Sequence, residues 1–382
     1  MPARYNAWTE TGCADQPIER DDAARILAGD DIDLMALLTA AGHVRQHYFD
    51  RTVSIHVLDN VQNGACPEDC GYCGQSKDST APLKAYRLKP VDDIVADAAN
   101  AKASGAFRFC MALSGRGPSD ADIDHMSQAI TRIKDMGLRT CLSAGLLDRE
   151  KADRLKDAGL DRLNHNLNTS EAHYPEICST HTYADRKQTL AAARAAGLGV
   201  CSGMIVGMGE SFDDILDVAY TLRDLRAESI PVNFLLPIDG NPITDVKCNG
   251  APLNPQLVLR VLSMVRLVNP SAEVRIAAGR ELHLRSLQPL ALWPANSLFM
   301  AGYLLTEGDD AAATLRMILD AGFTPRLDEG DWPEHLQKLA ASAPLPHASA
   351  ALPESQTHLK PTVTGASQDP FVPVAEVGLP KN

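Results

Sequence analysis

The run Asn63-Gly-Ala-Cys-Pro-Glu-Asp-Cys-Gly-Tyr-Cys-Gly-Gln-Ser76 contains three closely spaced cysteines, Cys66, Cys70 and Cys73. Thiolate is the soft ligand that iron–sulfur clusters bind. Three thiolates can hold three irons of a cubane cluster and leave the fourth iron open to a small molecule, since no further cysteine lies nearby. The alternative is a zinc site that takes its fourth ligand from elsewhere in the chain.

The chain that follows predicts the scaffold for this run, because β-rich segments alternate with amphipathic helical segments from residue 51 onward. The predicted strands are Val53–Val57, Phe107–Leu113, Arg139–Ala144, Arg162–Leu167, Gly199–Val206, Pro231–Leu236, Val274–Ala277 and Ser297–Met300. Helices are predicted near 91–104, 121–136, 149–158, 184–196, 212–227, 255–268, 280–290 and 309–321. Eight successive β–α units predict an α/β fold, a parallel (β/α)8 TIM-type barrel. Periodicity leaves an open, doubly wound sheet as the alternative.

The two ends of the chain differ from this predicted barrel, which spans 51–325. Residues 1–50 form a predicted N-terminal helical extension, with a helical pattern over 20–47. Residues 326–382 form a predicted C-terminal extension that is mostly disordered, because from about 341 Ala, Ser, Pro and His follow one another without an apolar period.

Composition excludes several classes of protein. The formal net charge of −13 argues against a nucleic-acid partner. No apolar run approaches the roughly 18 residues of a membrane span, and no signal peptide is evident. Nine cysteines in a long chain of this kind favour metal ligation in a reducing compartment over a disulfide framework. We therefore expect a cytoplasmic protein without a nucleic-acid or membrane partner.

A second set of cysteines, Cys110, Cys141 and Cys201, falls in the middle of the second, third and fifth predicted strands. Interior side chains of a barrel converge on its axis, so these thiolates can meet around one buried cluster. The alternative is that each is a small buried hydrophobic residue. The remaining cysteines lie outside the predicted strands, and we expect no catalytic role for them: Cys13, Cys178 and Cys248.

The C-x3-C-x2-C spacing resembles that of the radical S-adenosylmethionine (SAM) enzymes, and the fuller run from Cys66 to Ser76 resembles the biotin synthase family. The resemblance covers about residues 40–325. It implies a [4Fe–4S] cluster on the first three cysteines, a buried [2Fe–2S] cluster on the second three, and SAM as cofactors. The implied reaction is radical insertion of sulfur into dethiobiotin to form biotin, with sulfide donated by the buried cluster.

The resemblance also selects a fourth ligand for the buried cluster. The run Val274-Arg-Ile-Ala-Ala-Gly-Arg280 is similar to the family's strand that carries a ligating arginine, which implies that role for Arg275. From the residues alone, Arg275 would be a counter-ion to a carboxylate or to SAM. The implied catalytic residues are the first three cysteines and Arg275.

Further contacts are implied by the same resemblance. Tyr72 would flank the adenine of SAM, Asn166 would contact SAM or the substrate ring, and Asn168 would contact the SAM ribose. Many members of the family carry aspartate at the position of Asn168. Arg186 would pair with the SAM carboxylate, and Asn233 would bind the ureido ring of dethiobiotin. Without the resemblance, the asparagines are turn residues and the arginine belongs to a solvated helix.

The family resemblance further implies a homodimer and a reducing electron donor such as flavodoxin or ferredoxin. Two alternatives remain at this point. One is another radical SAM enzyme, such as a methylornithine synthase or a hydrogenase maturase, which does not need all three barrel cysteines and Arg275. The other is a non-enzymatic zinc-binding scaffold.

Overall fold

The structure, a computed structural model, describes residues 2–64, 66–300, 310–327 and 333–342. Within these ranges the strands are β1 (Thr52–Asn60), β2 (Arg108–Ala112), β3 (Arg139–Ser143), β4 (Arg162–Asn164), β5 (Gly199–Cys201), β6 (Met204–Val206), β7 (Ser229–Phe234), β8 (Lys247–Cys248), β9 (Ala251–Pro252), β10 (Glu273–Ile276), β11 (Ser297–Phe299) and β12 (Thr324–Pro325). The pair β8–β9 is antiparallel and separate, and the other strands belong to one parallel sheet.

This parallel sheet closes on itself. β1 pairs with β2 on one side and with β11 on the other, where Ser54 lies opposite Ser297. The ring continues from β2 through β3, β4, β5, β7 and β10 back to β11. An open sheet would leave two unpaired edges. The predicted (β/α)8 barrel is therefore confirmed, and the open-sheet alternative is wrong.

The fifth position of the barrel holds two short strands, β5 and β6, where the sequence predicts one strand over 199–206. The interruption falls at Ser202 and Gly203. A Cβ atom on Gly203 would lie 1.8 Å from the carbonyl oxygen of Pro231 on β7, so this close approach requires glycine. Because of the interruption, Cys201 lies at the end of a strand and not in the middle of one as predicted.

Helices surround the barrel and cover its N-terminal side. They are α1 (Ala3–Cys13), α2 (Arg20–Ala28), α3 (Leu34–Phe49), α4 (Val91–Ala103), α5 (Asp120–Asp135), α6 (Arg149–Asp157), α7 (Tyr174–Ile177), α8 (Tyr183–Ala195), α9 (Phe212–Asp224), α10 (Pro255–Val268), α11 (Arg280–Leu284), a 3-10 helix (Arg285–Leu292), α12 (Ala311–Asp320) and α13 (Glu334–Ser342). Each helix predicted between strands is present, with the segment near 280–290 divided between α11 and the 3-10 helix. The sequence pattern did not predict α1, α7 or α13.

Side-chain caps fix where several outer helices begin. At the start of α5 the hydroxyl of Ser119 accepts a hydrogen bond from the backbone N–H of Asp122, and the Asp122 carboxylate accepts one from the N–H of Ser119. This reciprocal pair satisfies two amide groups that the helix leaves free at its start. The buried apolar side chains behind the cap recur every three or four positions: Ile123, Met126, Ile130 and Ile133. This spacing places them on the helix face that packs against the strands.

The N-terminal helices are attached to the barrel by backbone contacts. The buried guanidinium of Arg45 on α3 donates hydrogen bonds to the carbonyls of Asp50 and Thr52, where β1 begins. The same guanidinium carbon lies 4.6 Å from the ring centroid of Phe323, next to β12. Arg45 thus joins the extension to the first and last strands of the sheet.

The C-terminal extension is described only in part. α13 extends to Ser342 and buries Leu336 and Ala340, so the predicted start of disorder at 341 is wrong for residues 341 and 342. Residues 343–382 lie outside the described residues. The domain boundaries at 50 and 325 stay predictions.

None of the described helices is long and apolar enough to cross a lipid bilayer. The cytoplasmic location stays a prediction.

Arg266, on the inner face of α10, is fully buried and fixes two connections of the barrel. Its guanidinium donates hydrogen bonds of 2.7–2.8 Å to the carbonyls of Pro270, Ala272 and Pro294 and to the side-chain oxygen of Asn296. These oxygens lie before β10 and before β11. One side chain therefore holds the entry to two neighbouring strands.

Replacing Arg266 with leucine should lower the free energy of unfolding by at least about 3 kcal/mol, because each buried acceptor left without a donor costs about 1–3 kcal/mol. Urea unfolding followed by far-UV circular dichroism measures this change. The control is Arg132→Leu, because Arg132 pairs with Asp92 at an exposed site and its loss should change stability by less than about 0.5 kcal/mol. Equal urea midpoints for the two variants would contradict the role of Arg266.

Candidate active site

The rim cysteines, Cys66, Cys70 and Cys73, lie in the loop that follows β1. This is the C-terminal end of the barrel strands, where (β/α)8 enzymes carry out their chemistry. The loop turns tightly, since the N–H of Cys73 bonds to the carbonyl of Cys70 at 3.0 Å. It is also fixed to the segment after β4, where the N–H of Gly71 bonds to the carbonyl of Ile177 at 2.9 Å.

Cys70 is the most buried rim cysteine, and it contacts two residues to which the sequence assigned no role. Its Sγ lies 3.7 Å from the Sγ of Cys178 and 3.6 Å from Nε2 of His181. Nothing in the local spacing indicates this contact, because Cys178 lies 108 positions further along the chain. The backbone bond between Gly71 and Ile177 brings the two segments together.

A cavity of about 280 Å³ is lined by both predicted groups of cysteines. The predicted site residues in its lining are Cys66, Cys70, Tyr72, Cys73, Cys110, Cys141, Asn166, Asn168, Arg186, Asn233 and Arg275. Cys201 is fully buried beside this lining. The structure thus brings the predicted site residues to one place.

The floor cysteines, Cys110, Cys141 and Cys201, converge inside the barrel. Cys110 lies directly opposite Cys141 in the register of β2 and β3. The Sγ of Cys201 lies 3.3 Å from Nδ2 of Asn164 and 3.7 Å from Nη1 of Arg275. The predicted meeting of three thiols beside Arg275 is therefore observed, although they come from separate strands.

Glu273 lies two residues before Arg275 and forms ion pairs with the arginines beside the floor cysteines. Its carboxylate accepts hydrogen bonds from Nη2 of Arg275 at 2.6 Å and from Nη1 of Arg162 at 2.8 Å. Burial acts to raise the pKa of Glu273, but the charges of Arg162 and Arg275 outweigh it and hold this pKa well below its usual value. Glu273 is therefore ionised, and Arg275 is a counter-ion to a carboxylate as the residues alone suggested.

His56 on β1 connects this carboxylate to a floor cysteine. Its Nε2 lies 3.1 Å from Oε1 of Glu273, and its Nδ1 lies 3.6 Å from the Sγ of Cys110. Burial, together with the charge of Arg275, lowers the pKa of His56 to about 3, so the ring is neutral. The neutral ring therefore lies between an ionised carboxylate and the thiol of Cys110.

The floor fits a bound group of soft-ligand chemistry. Nε of Arg275 is buried and has no hydrogen-bond partner among the described residues. A buried donor without a partner is costly, and a group held by the floor cysteines would lie beside it. Three convergent thiols are the donor set of an iron–sulfur cluster, and the rim loop supplies three further thiols of the same chemistry.

Arg186 on α8 brings a buried positive charge to the cavity. Nη1 donates to the carbonyl oxygen of Asn166 at 2.8 Å, and Nε donates to the hydroxyl of Tyr174. Nη2 lies 3.5 Å from the hydroxyl of Tyr72. These partners are neutral, so the guanidinium charge is available to an anionic group in the cavity.

Two asparagines are held in place by the backbone. Asn168 has φ of 72°, a left-handed conformation that asparagine tolerates, and its side-chain amide donates to the hydroxyl of Tyr72. Asn233 on β7 donates to the carbonyl of Met204 at 3.0 Å and accepts from the N–H of Ala278 at 3.2 Å. The side-chain amide of Asn233 retains one N–H donor and one acceptor position on its oxygen for a ligand.

Sequence analysis missed the residues that support the floor: His56, Asn164 and Glu273. A signal for Glu273 was present, since residues two apart on a strand point to the same face and Glu273 therefore shares a face with Arg275. His56 was detectable as a polar residue in an apolar strand. The contact of Asn164 with Cys201 depends on the register of β4 and β5, which the sequence does not show.

Two family models match the sequence that forms this site. Residues 62–222 match the radical SAM superfamily, and residues 231–324 match the biotin and thiamin synthesis associated domain. The first match contains the rim cysteines and the floor cysteines. The second contains Asn233 and Arg275.

Whole-chain relatives decide the assignment. The chain is 55% identical to the biotin synthase of Acaryochloris marina over 311 residues, which cover 81% of this chain and 89% of that protein. The chain belongs to the biotin synthase family. Identity to the biotin synthase of Leptospira interrogans is 52% over 315 residues, covering 82% of this chain and 88% of the relative. Membership confirms the predicted radical SAM enzyme and its family's cofactors, a [4Fe–4S] cluster, a [2Fe–2S] cluster and SAM. The zinc-scaffold alternative is wrong.

Solved structures of lower identity share the fold. A methylornithine synthase aligns with a TM-score of 0.71 at 18% identity, covering 84% of this chain and 97% of that one. The FeFe-hydrogenase maturase of Carboxydothermus hydrogenoformans aligns with a TM-score of 0.70 at 16% identity, covering 87% and 81%. At these identities the likeness concerns the barrel and not the reaction.

Replacing Glu273 with glutamine should lower the free energy of unfolding of the cluster-free chain by about 3–5 kcal/mol, because it leaves Arg162 and Arg275 inside the barrel without a carboxylate. Urea unfolding measures the loss. Asp153→Asn is the matched control, since Asp153 pairs with Arg149 at an exposed site and should contribute less than about 1 kcal/mol. An unchanged midpoint for Glu273→Gln would show that the carboxylate does not balance these charges.

Proposed function

We propose that the protein inserts sulfur into dethiobiotin inside the cavity between the rim cysteines and the floor cysteines. The observation that carries the proposal is that one cavity is lined by the three rim cysteines and by Cys110 and Cys141 of the floor. A substrate held between them can be activated from one side and receive sulfur from the other. Two C–H bonds of dethiobiotin would be replaced by two C–S bonds to one sulfur atom. Each hydrogen atom would pass to one 5′-deoxyadenosyl group derived from SAM, and the two electrons released by the sulfide would stay on the iron that held it.

In this proposal the rim cysteines hold the [4Fe–4S] cluster and leave one iron for SAM. The floor cysteines hold the [2Fe–2S] cluster together with Arg275. When bound, these cofactors supply a carbon-centred radical at the rim and sulfide at the floor. Arg275 is also bound to Glu273, which orients its guanidinium so that Nη1 faces Cys201.

The residues of the cavity wall position SAM in this proposal. Arg186 pairs with the SAM carboxylate, which its charge and its neutral hydrogen-bond partners support. Tyr72 flanks the adenine. Asn166 and Asn168 contact the polar groups of SAM, and the Tyr72 hydroxyl accepts the amide proton that fixes Asn168.

Asn233 binds the ureido ring of dethiobiotin. A cyclic urea has one carbonyl acceptor and two N–H donors, which match the amide donor and acceptor of asparagine. The two backbone bonds to Asn233 fix the side chain before substrate arrives, so its orientation costs little on binding.

The cavity also limits side reactions, because a radical intermediate must be kept from solvent. Buried apolar side chains packed with the floor cysteines include Ala277 and Phe299. The dense packing around the floor cysteines keeps water from the sulfur that the substrate receives.

Two partners complete the proposal. A small electron-transfer protein such as flavodoxin or ferredoxin supplies the reducing electron, and the enzyme works as a homodimer. Both rest on the family resemblance. Sedimentation analysis of the purified chain tests the dimer, and reduction of the bound clusters by either donor tests the electron source.

Cys70→Ala should abolish SAM cleavage, whereas Cys141→Ala should abolish biotin formation and leave cleavage intact, because the two residues serve different clusters. Mössbauer spectroscopy of iron-57-reconstituted protein identifies the clusters, and 5′-deoxyadenosine and biotin are measured on the same samples. Cys13→Ala, outside the cavity, should retain both products. Biotin formed by Cys141→Ala, or 5′-deoxyadenosine formed by Cys70→Ala, would contradict the proposed roles.

A further inference from the structure

Three metal-ligating atoms lie together behind the rim loop, and two of them belong to residues outside the proposed cluster sites. They are Sγ of Cys70, Sγ of Cys178 and Nε2 of His181. The two sulfurs are 3.7 Å apart, and Nε2 lies 3.6 Å from the first and 3.7 Å from the second. All three residues are buried.

These separations match one face of a tetrahedral metal site. With metal–sulfur bonds of about 2.3 Å and metal–nitrogen bonds of about 2.0–2.1 Å, tetrahedral angles place two sulfurs about 3.8 Å apart and a sulfur and a nitrogen about 3.6 Å apart. Cubane clusters separate their thiolate ligands further than this, because each thiolate binds a different iron. The spacing of Cys70, Cys178 and His181 therefore suits a single ion.

The surroundings of His181 suit a ligand. The hydroxyl of Tyr174 lies 2.9 Å from Nδ1, which itself lies 3.3 Å from the Sγ of Cys178. Nε2 is the ring nitrogen that lies near both sulfurs. A second partner on the other ring nitrogen is the usual way in which a ligating histidine is oriented. Oε2 of Glu68 lies 3.7 Å from the same Nε2 and can supply a fourth ligand.

The charges around the group are compatible with a divalent cation. Two thiolates neutralise its charge, and the carboxylate of Asp69 lies 3.1 Å from the Sγ of Cys178. The guanidinium of Arg186 lies 3.3 Å from Nε2 of His181. Because the ion with two thiolates carries no net charge, the charge of this guanidinium does not oppose its binding, and the hydrogen bond between Arg186 and Nε2 is given up when the ion binds.

We propose that the cluster-free chain binds one divalent ion of the zinc class through Cys70, Cys178 and His181. Binding releases the two thiol protons and fixes Cys70 against the segment after β4. Cys70 cannot ligate this ion and the rim cluster at once, so the two forms exclude each other. This exclusion rests on the proposed role of Cys70 in the rim cluster, whereas binding of the ion does not.

The test uses the full chain after anaerobic removal of iron by a chelator under reducing conditions. One equivalent of Co²⁺ should give thiolate charge-transfer and tetrahedral d–d absorption, and Zn²⁺ should displace it. Cys178→Ser and His181→Gln should each weaken Co²⁺ binding by at least about 100-fold, because loss of a direct ligand costs more than the 10–100-fold loss from an outer partner.

Cys66→Ser and Cys73→Ser are the matched controls and should leave the Co²⁺ spectrum unchanged. A spectrum that depends on these two cysteines and not on Cys178 and His181 would overturn the proposal, because the ion would then sit in the rim loop. Absence of stoichiometric binding would overturn it as well. Far-UV circular dichroism verifies that each variant is folded.

Zinc X-ray absorption on the unmodified chain decides the ligand set without any variant. Two sulfur ligands together with imidazole scattering are expected at one equivalent. Three sulfurs without imidazole would contradict the site. In a separate measurement Zn²⁺ should slow [4Fe–4S] reconstitution of the wild type and have less effect on Cys178→Ser. Binding of the ion without this competition would retain the metal site and count against the role of Cys70 in the rim cluster.

Discussion

The floor of the cavity depends on the balance between one carboxylate and the cations that surround it. Moving a guanidinium out of water costs several kcal/mol, so Arg162 and Arg275 are stable inside the barrel because Glu273 accepts hydrogen bonds from both. Through Arg275 the same carboxylate reaches Cys201, and through His56 it faces Cys110. The arrangement of the floor thiols is therefore set by charge as well as by apolar packing.

The rim depends on a different kind of contact. Asp69 accepts hydrogen bonds from the N–H groups of Ser179 and Thr180, and these bonds hold the loop after β1 against the segment that precedes α8. That helix carries Arg186. The rim loop and the segment before Arg186 are thus linked by hydrogen bonds from main-chain N–H groups to the carboxylate of Asp69.

Much of this arrangement was predictable, because its signals are local. The cysteine spacing in the rim loop and the alternation of strands and helices are properties of short segments, and both predictions are confirmed by the barrel and the family assignment. Cys201 was placed mid-strand because its apolar run continues to residue 206. The interruption at Gly203 arises from the carbonyl of Pro231 on a neighbouring strand, which no local pattern reports.

The contacts that could not be predicted join distant segments. Cys178 meets Cys70 only because two loops at the rim are hydrogen-bonded to each other, so its spacing in the sequence carries no signal. Glu273 was predictable in part. Its position on the same strand face as Arg275 follows from the sequence, but its pairing with Arg162 depends on closure of the ring. Sequence thus indicated the residue types of the site and the structure supplies their neighbours.

Closure of the barrel also sets an order for folding. β1 pairs with β11 and β12, so the strand that leads into the rim loop acquires neighbours from near the other end of the described chain. Contacts between such distant segments form late, because the loop between them must first be ordered. During synthesis β1 leaves the ribosome before β11, so the edge of β1 that pairs with β11 has no partner until β11 is made. The ring of strands around the floor therefore closes only after the last strands are made.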